Sequence, residues 1–341
     1  SGGRSAGGPR KSLGPDPPAS GSMVVMVSPP PGDTVRPATW DDLDAVAMLL
    51  QVADLADIGE QDFSIEELKD DWRQPQLDMT SDTWLVMSGG AACAYTWLLG
   101  RNSHRDLDSW GVVHPGHRGR GLGTFLLDVV ERRAAEHQVL VEPPGQSTLL
   151  LHTLAMDSAA RTLLEGRGFE LTRHFWRMDI ELETAPAPPV PVDGISIRTF
   201  RRGQDERPVY EAFEEAFADH FGYVPRSFED WSTVRLQQGF DPSLWFVASD
   251  GQEVVGALAG RIMEGMGWVA TLGVRKRWRG RGIGEALLRN SFAAFHGRGI
   301  TKASLSVDAR NETGAVALYE RAGMHVALQY DTYEKRYGGP A

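Results

Sequence analysis

Two six-residue stretches decide how this chain is read: Arg118-Gly119-Arg120-Gly121-Leu122-Gly123 and Arg279-Gly280-Arg281-Gly282-Ile283-Gly284. They agree at five of six positions and lie 161 residues apart. Glycines let a backbone turn tightly and approach a ligand, while successive N–H groups and the positive end of a following helix form an anion site. The arginines add positive charge without a metal, and none is expected. The G-x-G-x-G spacing lacks the two-residue gap of a dinucleotide-binding turn. No Gly-Lys-Ser/Thr is present for a nucleoside triphosphate loop.

Outward from these loops, the two halves repeat one pattern of strand, glycine loop and helix. Apolar residues follow each loop at helical spacing: Leu122, Leu126, Leu127 and Val130 in the first half, and Ile283, Leu287, Leu288, Phe292 and Phe295 in the second. Upstream, the first half reads as a strand from Thr34, helices to about Asp71, and strands at Thr83 to Met87 and Ala91 to Leu99 across a Gly-Gly turn. The second reads as a strand at Ile195 to Thr199, helices through Phe217 and from Phe228 to Leu236, a hairpin turning at Asp250-Gly251, and a strand at Trp268 to Val274. Between the halves, the Pro-rich run 183–194 predicts an extended spacer. Domains are therefore expected at 34–182 and 195–338, with 1–33, rich in Gly, Pro and Ser, as a disordered tail.

Composition narrows the partners. A formal net charge of −11 argues against nucleic acid, which requires a basic face. No apolar run is long enough to span a membrane. The single cysteine, Cys93, allows no intrachain disulfide, which fits a reducing, cytoplasmic setting. The oligomeric state is not legible.

Arg279, Gly282 and Gly284, like Arg118, Gly121 and Gly123, match the Arg-x-x-Gly-x-Gly/Ala signature of the GNAT superfamily of acyl-CoA-dependent N-acyltransferases, which this chain resembles. The resemblance implies an α/β fold of two tandem domains, each a mixed, mostly antiparallel sheet flanked by helices. It implies that both loops hold the pyrophosphate of acetyl-CoA. Val113 in the first half, and Leu272, Gly273 and Val274 in the second, would then line the pantetheine arm. The segment from Leu305 to Met324 resembles the family's second motif, in which Asn311 caps a helix or bonds the pantetheine and Tyr319 protonates the departing thiolate. The first half places Leu164 opposite Tyr319 and Asp157 near Asn311, so it is expected to bind acyl-CoA with little or no catalysis. This division resembles that of other tandem-domain members.

The implied reaction is direct transfer of an acetyl group to a primary amine of a small molecule. Two alternatives stay open: a protein or peptide amine as acceptor, and a sensor that binds acyl-CoA without turnover. An amine with a reference pKa of about 10.4 must lose a proton before it attacks. A family glutamate would fall on the strand entering Leu272, where this chain carries Trp268. Glu264 and His220 are the replacement candidates for the base, with His220 also a candidate acceptor contact; Asp219 and Asp308 are further possibilities. The aromatic group Phe217, Phe221, Tyr223, Phe228 and Trp231 reads as core, or as an acceptor pocket.

Overall fold

A computed structural model describes residues 28–218, 223, 225–236, 240–311 and 314–338. Most of the expected tail, with His220, Asp219 and Phe221, lies outside the described residues. The first half comprises β1 (Asp33–Arg36), α1 (Leu43–Asp57), α2 (Ile65–Trp72), β2 (Thr83–Ser88), β3 (Ala91–Arg101), β4 (Asp106–Val113), α3 (Leu122–Gln138), β5 (Ser147–Leu154), α4 (Ser158–Gly166) and β6 (Glu170–Glu181). The second repeats that order with β7 (Ser196–Thr199), α5 (Glu206–Phe217), α6 (Phe228–Arg235), β8 (Trp245–Ser249), β9 (Val254–Met263), β10 (Met266–Val274), α7 (Ile283–His296), β11 (Lys302–Asp308), α8 (Ala315–Arg321) and β12 (His325–Tyr337).

Each half is the mixed sheet that its sequence predicts, antiparallel except where β4 meets β5 and β10 meets β11. The halves are not side by side, however. All twelve strands join in one sheet ordered β1-β2-β3-β4-β5-β12-β6-β11-β10-β9-β8-β7. The last strand of each half thus lies in the sheet of the other. Strand β6 pairs with β11 from Lys302↔Glu181 to Asp308↔Phe175, and β12 pairs with β5 from Tyr330↔Leu154 to Tyr337↔Ser147.

The cores follow this exchange. Met178 of β6 is fully buried among Leu287, Leu288, Phe292 and Leu305 of the second half, and Tyr333 of β12 is fully buried among Leu127, Val130 and Leu149 of the first. Burying such a side chain stabilises by about 1.5–3 kcal/mol. Each half therefore depends on the other for a central strand.

An ionic group clamps the crossing. Arg177 of β6, buried to 3% side-chain exposure, pairs with Asp179 at 2.9 Å and Asp62 at 2.5 Å, and also with Glu60. Lys302 reaches Glu60 at 2.7 Å and Asp179 at 2.9 Å, while Ser304 donates to Asp179 at 2.8 Å. Burial opposes the charge on Arg177, but these carboxylates outweigh it and raise its pKa. Removing one member of a buried pair typically costs about 3–5 kcal/mol, because the other charge is left uncompensated.

The Asp250-Gly251 hairpin forms, but not as a two-residue turn. Ser249 pairs with Val254, and Asp250 accepts the N–H groups of Gln252 and Glu253 at 2.9 Å each, so the loop spans four residues.

Because each half alone lacks the strand that the other inserts into its sheet, segments 28–182 and 195–338 expressed separately should not unfold cooperatively. Mixing them should restore a cooperative transition by circular dichroism. A cooperative melt of either segment as a monomer would contradict the exchange.

Candidate active site

Both glycine loops take the same shape. Gly119 and Gly280 have φ of 76° and 75°, and Gly121 and Gly282 have φ of 88° and 82°, a left-handed region that costs an L side chain about 1–2 kcal/mol. Gly121 and Gly282 are the N-caps of α3 and α7, and neither helix start carries a side-chain cap. Their first N–H groups consequently lack an intrahelical acceptor and face outward. Leu122 and Ile283, each 1% exposed, pin the loops to the cores. The leading arginine ties each loop to the preceding strand: Arg118 Nε donates to the Val113 carbonyl at 3.3 Å and Arg279 Nε to that of Val274 at 3.2 Å.

The second arginines differ in their contacts. Arg281 lies 4.4 Å above the Trp278 ring, beside a cavity of about 420 Å³ that Arg277 and Glu253 also line. Arg120 instead contacts His117 at 2.7 Å and Asp33 at 3.3 Å.

Beyond the loops, the parallel strands part. Strands β10 and β11 pair only at Gly267↔Ala303 and Trp268↔Ser304, after which β10 runs on to Val274 without β11. A bulge at Ala270, between Val269↔Gly260 and Thr271↔Ala259, marks the start of the gap. Strands β4 and β5 stay paired for four positions, to Ser109↔Leu151, and β4 keeps an unbroken register with β3. The first half therefore has a shorter gap and no bulge.

Tyr319 on α8 is 9% exposed within the second core, and burial pushes its phenol up to about 12. Its carbonyl accepts the Met324 N–H at 3.0 Å, just as that of Leu164 accepts the Phe169 N–H at 3.1 Å. A Cβ on Gly284 would come within 2.7 Å of Leu318, and one on Gly123 within 3.7 Å of Leu163. The same sites thus meet in both halves, with leucine in place of tyrosine in the first.

Other candidate residues fall elsewhere. Gly314 is the N-cap of α8, so Asn311 stands before the helix, its N–H donating to Asp308 at 3.0 Å; Asp157 does cap α4, accepting from Ala159 and Ala160. Asp308 is held by Arg173 at 2.8 Å. Glu264 has φ 46° in the β9–β10 turn and lines a cavity of about 240 Å³ with Glu60, Asp62, Phe63 and Lys302. The stretch of β10 from Met266 to Leu272, about 20 Å long, separates it from Leu272. Tyr319 and Glu264 are not brought together. Phe217, Phe228 and Trp231 pack in the core beneath α5 and α6.

Unforeseen polar residues gather on the face of the sheet opposite α7. Arg261 of β9, the cross-strand partner of Trp268, meets Glu67 of α2 at 3.3 Å. Burial raises the pKa of Glu67 despite Arg261. Burial, with Asp108 and Glu67 nearby, pushes Asp71 up to about 7. Glu67 and Arg261 come from opposite halves, so no local sequence signal joins them.

Comparisons agree with this geometry. The profile of the Acetyltransferase (GNAT) family matches residues 49–154 and 207–324. The chain is 31% identical over 306 residues to a mycothiol acetyltransferase of Streptomyces coelicolor, covering 85% of this chain and 94% of that one. It is 36% identical over 220 residues to that of Thermobispora bispora, covering 62% and 70%. Among solved structures, a GCN5-related N-acetyltransferase from Sphaerobacter thermophilus superimposes with TM-score 0.78 at 38% identity, covering 91% of this chain and 97% of that one. A tandem GNAT protein from the clavulanic acid biosynthesis pathway shares the fold, with TM-score 0.69 at 17% identity over 91% and 100% of the two chains. Among the described residues no helix is long and apolar enough to cross a membrane.

The raised pKa of Asp71 has a sign. A carboxyl that holds its proton more tightly when folded stabilises the fold below its unfolded value near 4, and that contribution is lost as pH rises through about 7. Asp71→Asn should therefore raise the melting temperature at pH 8 by about 2–4 °C and leave it unchanged at pH 4. An equal shift at both values would refute the assignment.

Proposed function

The chain belongs to the GNAT acetyltransferase family, and on that premise we propose that it transfers the acetyl group of acetyl-CoA to the primary amine of a small molecule, with the chemistry in the second half. The observation that carries this reading is the coincidence, in that half alone, of the bulged gap between β10 and β11 with the buried Tyr319. The relatives' name, mycothiol acetyltransferase, supports a small-molecule acceptor.

In this reading the N–H groups at the start of α7, with Arg281, hold the pyrophosphate. Pantetheine enters the gap and pairs with Leu272, Gly273 and Val274, whose edge β11 leaves open. The amine approaches from the opposite face of the sheet. Its nitrogen forms a bond to the thioester carbon while backbone N–H groups at the bulge stabilise the oxyanion. The C–S bond then breaks, the Tyr319 hydroxyl gives its proton to the sulfur, and the nitrogen gives up its own proton to water, from which the tyrosine is reprotonated. Burial suits this step, since a phenol held near 12 stays protonated at neutral pH. The first half binds acetyl-CoA without catalysis, because Leu164 has no proton to give and β4 has no bulge.

Tyr319→Phe should lower kcat by about 10²-fold or more with little change in acetyl-CoA affinity, as expected for loss of a general acid. In calorimetry, Gly282→Glu should abolish turnover and one binding event, whereas Gly121→Glu should remove binding alone. Acetyl-CoA binding unaffected by either loop change would sink the assignment of both loops.

A further inference from the structure

The strand exchange brings α2 of the first half over the face of the sheet from which the amine must approach in the second. Arg261 projects from that face: its neighbour Ala259 packs with α5 residues, whereas a Cβ on the intervening Gly260 would point at Phe295 of α7. Its Nη2 lies on Glu67 at 3.3 Å. Its Nε is buried and makes no hydrogen bond among the described residues. A buried donor left unmade costs about 1–3 kcal/mol, so an acceptor atom supplied by a ligand would recover that loss.

Glu67 is itself fixed. It closes the capping box of α2, its Oε2 accepting the Ser64 N–H at 3.3 Å while Ser64 Oγ accepts the Glu67 N–H at 3.1 Å. The remaining oxygen, Oε1, is the one on Arg261. The guanidinium is thereby aimed by a carboxylate anchored at a helix start in the other half. Arg235 of α6 lies close enough to Arg261 to feel its charge.

We infer that Arg261, aimed by Glu67, is the acceptor-recognition residue of the second half and binds an oxyanion at the far end of the substrate amine. This rests on the acetyl-transfer reading above. Arg261 is level with Trp268, four residues before Leu272, which puts the oxyanion about 13 Å from the reacting nitrogen. The preferred acceptor is an elongated amine with a carboxylate or phosphate end, bound by a charge-assisted hydrogen bond to Nε. Glu67 is a positioning residue and does not touch the substrate.

The test compares ω-aminodecanoate, whose extended length matches that spacing, with decylamine, following thiol release from acetyl-CoA. Wild type should favour the carboxylate at least tenfold in kcat/KM, with the difference in KM. In Arg261→Met the ratio should fall towards one, and Arg261→Lys, which keeps the charge but moves the donor, should be intermediate. Glu67→Gln preserves the capping box and should lower the ratio a few-fold. A wild-type ratio of one, or a loss in Arg261→Met that is equal for both amines, overturns the inference and leaves Arg261 as a strut between the halves. Calorimetric titration of ω-aminodecanoate into wild type and Arg261→Met separates the two readings. Arg261-dependent binding without thiol release would uphold recognition and reject acetyl transfer; thiol release without Arg261-dependent binding would do the reverse.

Discussion

The fold turns on a burial problem solved twice. A strand in the middle of a sheet needs partners on both edges and cover on both faces, and in this chain β6 and β12 find theirs in the opposite half. Once β6 lies between β11 and β12, its polar face carries Arg177 and Asp179 into the interior, where neither charge could remain unpaired. Glu60 and Asp62, from the segment between α1 and α2, supply the missing carboxylates, and Lys302 and Ser304 complete the group. The same contacts that neutralise the buried arginine draw the first half's α1–α2 segment across the junction. Placement of α2 over the shared sheet follows from that.

Against this common frame, the halves diverge in small ways with large chemical effects. Their glycine loops keep the same φ values, the same uncapped helix starts and the same arginine tether to the preceding strand. These features serve packing as well as ligand binding, since the glycine closing each loop also admits a leucine of the following α4 or α8 helix. The bulge in β10 and the tyrosine of α8 are absent from the first half, where β4 is regular and leucine fills the tyrosine's place in the core. The first half thus keeps the same shape with an apolar side chain where the second buries a phenol.

Features with short-range causes were legible in the sequence. Paired glycine loops, helical spacing after them and the Tyr319–Leu164 correspondence all follow from local pattern, and the structure places each accordingly. Reading failed where a neighbouring side chain or glycine shifts a boundary, and where a distant contact decides the outcome. The Asp250-Gly251 turn widened because the Asp250 side chain took two backbone donors. Glu264, one turn before β10 in sequence, sits at the end of the strand away from Tyr319, because a strand carries its residues apart at about 3.3 Å each. Asn311 fell outside α8 because Gly314 begins that helix. Nothing in either half alone announces that its final strand belongs to the other.

That exchange also bears on why neither half can be dispensed with. A domain joined only by a linker can be lost when its own ligand no longer matters, but the first half here owns β5, against which β12 pairs, and receives the side chain of Tyr333 in its core. Deleting it would strip β12 of both its partners, β5 and β6, and remove β6 from beside β11, leaving three unpaired edges in the surviving half. The first half is therefore retained by the folding of the second. A helix held in place for that reason is free to acquire a further duty at no added cost in order, since its backbone entropy has already been spent in forming the fold. Glu67 stands on such a helix, already fixed by its capping box before it meets Arg261. A contact between Glu67 and Arg261 across the two halves is thus the expected product of a sheet that neither half can complete alone.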